Sequence, residues 1–527
     1  MARTRCRPLF RRTDGRSTNL QYRTLSARNS GTDEQRHRRR IGGETRAQVG
    51  NNMGKTEVRL CAIERYSKTV KTFRVQWLIP FFISCTIIVH VGDAQMKAER
   101  SYPSIFQAWN GIENRPDVDE LHRLAQHDLA FAHPYTLLKI AWNISEEQPY
   151  SGLAIALSPS QLNTARQRKQ QLLSLNPNLL LLVEIRCRDA RYVSRQNEAD
   201  VENWWEVGYF PPDSPYWLKD NNGRPVIGWG EDTNGNGKID ENDKVLSSLI
   251  DFTNPEMQNL MVNQAVALNA SGLFDGIMLD WWNEDYATSP INVDDWSATI
   301  LTPEAELEAR LAILHKIREQ VDNDFLILVN ANTRQIPKSA PSVNGLFMEC
   351  YKQEYDKGYN LNQILQMEKT LLWAEQHLRE PRINCLEGWR VVTDYRGDLN
   401  IRIAERNSPE NLQWMRMITA LSLTHSDGYV LFGDDNAIPA PDHLHNWYDF
   451  WDADLGQPIQ KKAVQYQGVA GLFIREFENG WVVYNRSGAT RTVTFDASVI
   501  GVDNGKQHSR YEIPDFDGEI FLKTATD

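Results

Sequence analysis

Residues 274–282 read FDGIMLDWW, a short apolar run that ends at the carboxylate of Asp280. Similar apolar runs recur on both sides of it, separated by longer segments. This alternation is typical of parallel strands joined by helices. The eight runs cover residues 105–109, 128–132, 179–185, 276–281, 325–330, 345–350, 383–387 and 428–433. Eight such units predict an α/β fold, a closed (β/α)8 TIM barrel, which usually takes about 250 residues and more with insertions.

The segments between the runs carry helix signals. Apolar residues recur at helical spacing in residues 255–270, 304–321, 362–378 and 411–423. The first of these segments has a complete start signal. Asn254 can cap the helix, Pro255 suits its first turn, and Glu256 matches the positive end of the helix dipole.

Two regions depart from the barrel pattern. Residues 190–250 form an insertion rich in Trp, Pro, Gly and Asp, far longer than a typical loop. After a barrel strand, such an insertion lies on the face that carries the chemistry. Short alternating strands at 471–477, 480–485, 490–495 and 519–522 follow the barrel domain, which we place at residues 96–455. They predict a small all-β, sandwich-like domain at residues 456–527.

The N-terminal region is basic, whereas the whole chain has a net charge of −11. Residues 1–52 contain many Arg, no Lys and no apolar periodicity, so we expect a disordered or spurious segment and a translation start at Met53 or later. A basic tail that binds nucleic acid is the alternative. The acidic remainder is not expected to bind nucleic acid.

Residues 53–95 resemble an export signal in their order of features. Basic residues from Lys68 to Arg74 precede the apolar run 77–91, and small residues follow it before Gln95. This order predicts a signal peptide and a secreted or periplasmic protein. The run is short for a membrane span, which needs about 20 residues. An uncleaved signal that anchors the protein in the membrane is the alternative.

Polar residues lie where several predicted strands end. They are Asp280, Asn330, Glu349 and Glu387 on the fourth to seventh strands. Such residues are costly to bury and usually serve function in a barrel. Glycoside hydrolysis needs two carboxyl groups on either side of the scissile bond. We therefore predict Asp280 as nucleophile or base and Glu349 as general acid, with Glu387 as an alternative partner or a third, substrate-positioning carboxylate.

Tryptophan is abundant, with 16 residues, and indole rings can stack on the apolar faces of sugars. Trp109, Trp281, Trp282 and Trp389 lie at strand ends. We predict that Trp109, Trp282 and Trp389, together with Asn330, bind a carbohydrate substrate. Core packing is the alternative for each ring. The cysteines after the signal, Cys187, Cys350 and Cys385, are too few for a disulfide scaffold and are expected to be buried thiols.

The insertion contains a calcium-loop motif, DTNGNGKIDEND at residues 232–243. Oxygen donors stand at positions 1, 3, 5, 9 and 12, Gly stands at position 6, and a main-chain carbonyl serves at position 7. The predicted Ca²⁺ ligands are Asp232, Asn234, Asn236, Lys238 through its carbonyl, Asp240 and Asp243. Asp243 replaces the usual Glu, which shortens the last ligand. An Asx-rich turn without a metal is the alternative.

Several motifs together resemble a known group of proteins. They are DFTNPE at 251–256, FDGIMLD at 274–280, HDL at 127–129, LNPNL at 175–179 and VNGLFME at 343–349. With them the chain, from about residue 101 onward, resembles the hypothetical glycoside hydrolase families of bacterial secreted proteins, relatives of the polygalactosaminidase type. The resemblance implies a TIM barrel whose catalytic pair corresponds to Asp280 and Glu349.

Taken with the two strand-end carboxylates, this resemblance predicts an exported glycoside hydrolase that cleaves O-glycosidic bonds of a polysaccharide or oligosaccharide. A barrel that binds carbohydrate without cleaving it is the alternative from another class. Metal-assisted hydrolysis is disfavoured, because no two His lie near the candidate acids in the sequence.

Overall fold

The computed structural model describes residues 100–145, 153–186, 188–192, 209–210, 214–231, 233, 244–284, 301–350, 358–391, 404–436 and 443–524. The predicted export signal and the N-terminal basic segment lie outside these residues. Within them, no helix has the length and apolar character needed to cross a membrane.

Eight parallel strands form one sheet that curves into a barrel. They are β1 (Phe106–Ala108), β2 (Leu129–Ala132), β5 (Leu180–Arg186), β10 (Gly276–Asp280), β11 (Leu326–Asn330), β12 (Gly345–Met348), β13 (Cys385–Val391) and β14 (Tyr429–Asn436). Ile105, just before β1, forms a parallel bridge with Val430 of β14 and brings the first and last strands together. The predicted (β/α)8 barrel is confirmed, with each strand inside or within a few residues of a predicted run.

Helices connect the strands on the outside. They are α1 (Glu120–Ala125), α2 (Pro134–Leu138), α3 (Leu162–Leu175), α4 (Pro255–Ser271), α5 (Pro303–Arg318), α6 (Leu361–His377) and α7 (Pro409–His425). The Asn254 side chain accepts a hydrogen bond from the Glu256 N–H, as the start signal of α4 predicts. Thr302, Asn360 and Ser408 cap α5, α6 and α7 in the same manner. These four helices therefore begin where local side-chain chemistry satisfies one of their first N–H groups.

The barrel core explains the uniform apolar character of the central strands. Every residue of β10 and β11 is buried, because helices cover one side of the sheet and barrel side chains fill the other. Gly276 opens β10 at a point of close approach, where a Cβ atom would lie 2.2 Å from the Leu326 carbonyl oxygen. The FDG motif thus lets two neighbouring strands pair without a clash.

Two extra strand groups extend from the barrel. A hairpin of β3 (Trp142–Ser145) and β4 (Leu153–Leu157) follows β2 in the chain. The long insertion contains a four-stranded sheet in the order β7-β6-β9-β8. Its strands are β6 (Asp189–Tyr192), β7 (Tyr209–Phe210), β8 (Ile227–Glu231) and β9 (Lys244–Leu249). The sequence indicated only a long connection here.

The C-terminal region is one five-stranded antiparallel sheet, in the order β15-β16-β19-β17-β18. Its strands are β15 (Leu472–Phe477), β16 (Gly480–Asn485), β17 (Arg491–Gly501), β18 (Gln507–Ile513) and β19 (Asp517–Lys523). The all-β prediction is confirmed, and the five strands form one hydrogen-bonded sheet; the sandwich-like arrangement stays a prediction. β18 was missed because nearly all its residues are polar and solvent-accessible, without the apolar alternation of a half-buried strand.

The C-terminal sheet packs on the barrel through apolar and ionic contacts. Phe473, Tyr484 and Ile520 belong to the same buried apolar cluster as the barrel strands. The Arg416 guanidinium of α7 makes two hydrogen bonds with the Asp517 carboxylate of β19, at 3.0 and 2.8 Å. The sheet therefore supports α7, the helix that precedes β14.

Candidate active site

The predicted polar residues meet at the carboxyl edge of the barrel. Asp280 and Asn330 are the last residues of β10 and β11, Glu349 follows β12, and Glu387 is the third residue of β13. Because the strands are parallel and in register, their ends form one rim. This is the face on which barrel enzymes carry their chemistry.

One amide group joins the two carboxylates of the predicted pair. The Asn330 Nδ2 donates to Asp280 Oδ1 and to Glu349 Oε2, both at 2.9 Å. The distance between Asp280 Oδ1 and Glu349 Oε2 therefore cannot exceed the sum of these two hydrogen-bond lengths. The Asn332 N–H donates to Asn330 Oδ1 at 3.3 Å, which leaves the Asn330 amino group directed at the acids. The structure thus brings together three residues from three neighbouring strands.

Asp280 is a buried carboxylate, 8% exposed, beside a fixed positive charge. Burial raises its pKa, and the nearby Arg186 guanidinium is the largest opposing influence. Hydrogen bonds from Asn330 and from the Trp281 main-chain N–H also favour the ionised form. Arg186 stands opposite Asp280 in the register of β5 and β10, and its Nε lies 2.7 Å from Asp189 Oδ1.

Glu349 has a different electrostatic environment. Burial raises its pKa to about 7, and the negative charges of Asp280 and Glu387 add to this effect. The His443 imidazole and the Asn330 hydrogen bond act in the opposite direction. Glu349 is therefore mostly protonated in weakly acidic solution, as a general acid must be. Of the two acids, we place the proton on Glu349 and the charge on Asp280, because the permanent cation Arg186 favours the ionised form of Asp280.

Glu387 lies beside Glu349 but is engaged by a histidine that the sequence analysis missed. Its carboxylate is fully buried and accepts hydrogen bonds from His443 Nδ1 at 2.8 and 3.1 Å. The His443 ring packs 4.5 Å from the Trp109 ring, centre to centre. The sequence places His443 after the last predicted strand but carries no signal that pairs it with Glu387. Glu387 and His443 form a buried carboxylate–imidazole pair at the edge of the site.

The predicted sugar-binding tryptophans have unequal positions. Trp109 is half-buried, and its Nε1 donates to Glu184 Oε2 at 2.6 Å. Trp282 and Trp389 are 2% and 1% exposed, and their indole N–H groups donate to Ser339 Oγ and to the Glu349 carbonyl. Their burial argues against sugar stacking and makes them supports of the site. Trp281, in contrast, is 36% exposed.

The metal prediction concerns a segment that the structure leaves undescribed. Apart from Thr233, the calcium-loop residues 232–243 lie outside the described residues. Among the residues that are described, no group of three His, Cys, Asp or Glu side chains could hold a metal ion. Cys350 and Cys385 are buried free thiols, as expected, and Cys187 is not described.

Comparisons with known proteins were made for the sequence and for the structure. The model of hypothetical glycosyl hydrolase family 15 matches residues 175–481, which is more than half of the chain. No curated protein matches the sequence.

Among solved structures, a noncanonic maltogenic α-amylase, AmyB from Thermotoga neapolitana, is 11% identical, with a TM-score of 0.41 over 80% of this chain and 99% of that one. The glycoside hydrolase domain of PelA from Pseudomonas aeruginosa is 10% identical, with a TM-score of 0.33 over 63% of this chain and 94% of that one. Similarity at this level does not extend to substrates or residue roles.

Proposed function

The chain belongs to hypothetical glycosyl hydrolase family 15, and from that premise we propose that it hydrolyses O-glycosidic bonds with Asp280 and Glu349 as its catalytic pair. The observation that carries this proposal is the Asn330 amide, which hydrogen-bonds both carboxylates at 2.9 Å on the chemical face of the barrel. Asp280 is buried and Glu349 half-buried, and two acids held by one donor are spaced for action on a single bond.

The environments of the two acids support different roles. Arg186 favours the ionised form of Asp280, as a nucleophile requires, whereas burial raises the pKa of Glu349 to about 7, as an acid requires. Retaining enzymes hold their carboxyl groups about 5–5.5 Å apart and inverting enzymes about 6.5–9.5 Å apart. The shared Asn330 donor holds one oxygen of each carboxyl group close to the other, and this closeness is the support for proposing retention.

The proposed reaction has two steps. A carboxylate oxygen of Asp280 attacks the anomeric carbon while the bond from that carbon to the glycosidic oxygen breaks, and the Glu349 proton passes to the leaving oxygen. In the second step, a water oxygen attacks the same carbon, its proton passes to the Glu349 carboxylate, and the bond to Asp280 breaks. Asn330 holds both acids in place and itself gains and loses no proton.

The site is tested with purified protein on a panel of soluble starch, galactan, chitosan and pectin, with reducing ends as the readout. We expect release of reducing ends from at least one polysaccharide by the wild type and none by Asp280→Asn. Binding of a polysaccharide without turnover would instead support the non-catalytic carbohydrate-binding barrel. Release that persists in Asp280→Asn would place the chemistry elsewhere.

We also propose export, supported by the order of basic, apolar and small residues before Gln95. The loop at 232–243 is proposed to bind Ca²⁺, on the strength of its donor spacing. Mass spectrometry of secreted material should find a mature N-terminus near Gln95; secreted protein that still contains residues 77–91 would contradict export with cleavage.

A further inference from the structure

We propose that Trp281 is an aromatic platform beside Asp280 that binds the apolar face of a pyranose ring next to the scissile bond. This inference rests on the proposed function, because it assigns a substrate contact to that same site. Three independent features of Trp281 support it: its backbone conformation, its backing by a buried cation, and its exposure.

The backbone at Trp281 is held in an unfavourable conformation. Its φ is +56°, in the left-handed region that side chains other than glycine rarely adopt. In this conformation its main-chain N–H hydrogen-bonds the Asp280 carboxylate, while the next residue, Trp282, turns its ring into the core. Trp109 after β1 and Cys350 after Glu349 also have positive φ, at +48° and +49°. Strain of this kind tends to concentrate at functional sites.

A buried arginine lies against one face of the Trp281 ring. The Arg188 guanidinium carbon is 4.4 Å from the ring centre, within the range of a cation–π contact. Arg188 has no exposed surface, and its two terminal nitrogens each donate to the Gly228 carbonyl of the insertion sheet at 3.3 Å. The insertion therefore fixes the orientation of the indole from one side.

Part of the Trp281 surface is open to solvent, with 36% of the residue exposed. An exposed, immobilised tryptophan loses little conformational entropy when a ligand stacks on it. A pyranose ring presents a flat face of C–H groups that suits an indole. Because Trp281 directly follows Asp280 in the chain, a sugar stacked there occupies a position adjoining the bond that Asp280 attacks.

The test measures binding in the non-hydrolysing Asp280→Asn background, by affinity electrophoresis in gels containing soluble starch, galactan, chitosan or pectin. We expect Trp281→Ala to weaken retention by the retarding polysaccharide at least about fivefold and Trp281→Phe to preserve most of it. The matched control is Trp373→Ala, which removes a half-buried indole from α6 and should leave retention unchanged.

A structural role for Trp281, as a cover over Arg188, predicts another result. Trp281→Ala would then lower the melting temperature while its retention stayed equal to that of the parent, and this outcome overturns the proposal. If none of the four polysaccharides retards the Asp280→Asn parent, this result would also count against the platform. If the Asp280→Asn variant still hydrolyses a polysaccharide, the proposed catalytic pair is refuted. The retention of Trp281→Ala would still show whether Trp281 binds the polysaccharide.

Discussion

Asp280 and Glu349 share the Asn330 donor but face different kinds of positive charge. Asp280 lies near Arg186, whose guanidinium remains charged at every pH that the protein would meet. Glu349 instead faces the His443 imidazole, which is charged only when it is protonated. Two similar acids at strand ends that β11 separates can therefore take different roles, because the surrounding charges decide which one keeps the proton.

Removal of either Asp280 or Glu349 should have the largest effect on activity. We expect Asp280→Asn and Glu349→Gln each to lower kcat/KM by several orders of magnitude while the fold survives, since both groups act on the reacting bond. A substrate with a good leaving group should recover turnover in Glu349→Gln and not in Asp280→Asn, because only the general acid becomes dispensable. Steady-state kinetics and circular dichroism check both statements.

Glu387 provides the internal control for this assignment. If Glu387→Gln abolishes turnover and Glu349→Gln only weakens it, the general acid lies on β13 and not after β12. If all three variants retain wild-type turnover on a substrate that the parent cleaves, the active site lies elsewhere.

Replacing Arg186 removes the permanent positive charge near Asp280. Arg186→Met takes away the largest influence that lowers the pKa of Asp280, so the pKa rises and the carboxylate is protonated at higher pH. The acidic limb of the kcat/KM profile should move to higher pH, so that activity in weakly acidic solution falls below that of the wild type. Arg186→Lys retains a charge and should show a smaller shift. An unchanged acidic limb in Arg186→Met would contradict the role given to Asp280.

The Glu387–His443 pair allows the Glu349 side to be adjusted in both directions. His443→Gln removes a group that lowers the pKa of Glu349, whereas Glu387→Gln removes a charge that raises it. Glu349 donates a proton only while protonated, so the alkaline limb near pH 7 should move upward in His443→Gln and downward in Glu387→Gln. Shifts of about one unit or less are expected. Movement of the alkaline limb in the same direction in both variants would refute this interpretation.

Calcium removal should have the smallest effect and should act on the Asp280 side. Asp189 in the insertion sheet and Arg188 next to it both act electrostatically on Asp280. We expect a chelator to lower the melting temperature of calcium-loaded protein by about 2–4 °C, the effect of a loss of about 1 kcal/mol. Asp232→Ala should abolish that response. Identical melts with and without chelator would exclude the site.

The parts of the site that were predictable from sequence are those on the strands themselves. Asp280, Asn330 and Glu349 close apolar runs, so their common edge follows from parallel strands in register. His443 lies in the segment after β14 and is hydrogen-bonded to Glu387 of β13. A local sequence pattern does not indicate such a contact between distant parts of the chain.

The tryptophans show a second limit of sequence-based prediction. Trp281 and Trp282 are adjacent and chemically identical, yet one is exposed and the other lies in the core. Trp281 also has a positive φ, a backbone conformation that residue type does not indicate in advance. The insertion sheet was missed for a related reason, because its strands are short and lie among Gly, Pro and Asp residues.

The central claim, that Asp280 is the nucleophile of a retaining hydrolase, is tested most directly by trapping the glycosyl-enzyme. The reagent is the 2-deoxy-2-fluoro glycosyl fluoride of the sugar that the enzyme releases, followed by peptide mass spectrometry. We predict one covalent sugar on the peptide that contains Asp280 and none in Asp280→Asn. A label on Glu349 or Glu387, or release of a product with inverted anomeric configuration, would contradict the claim.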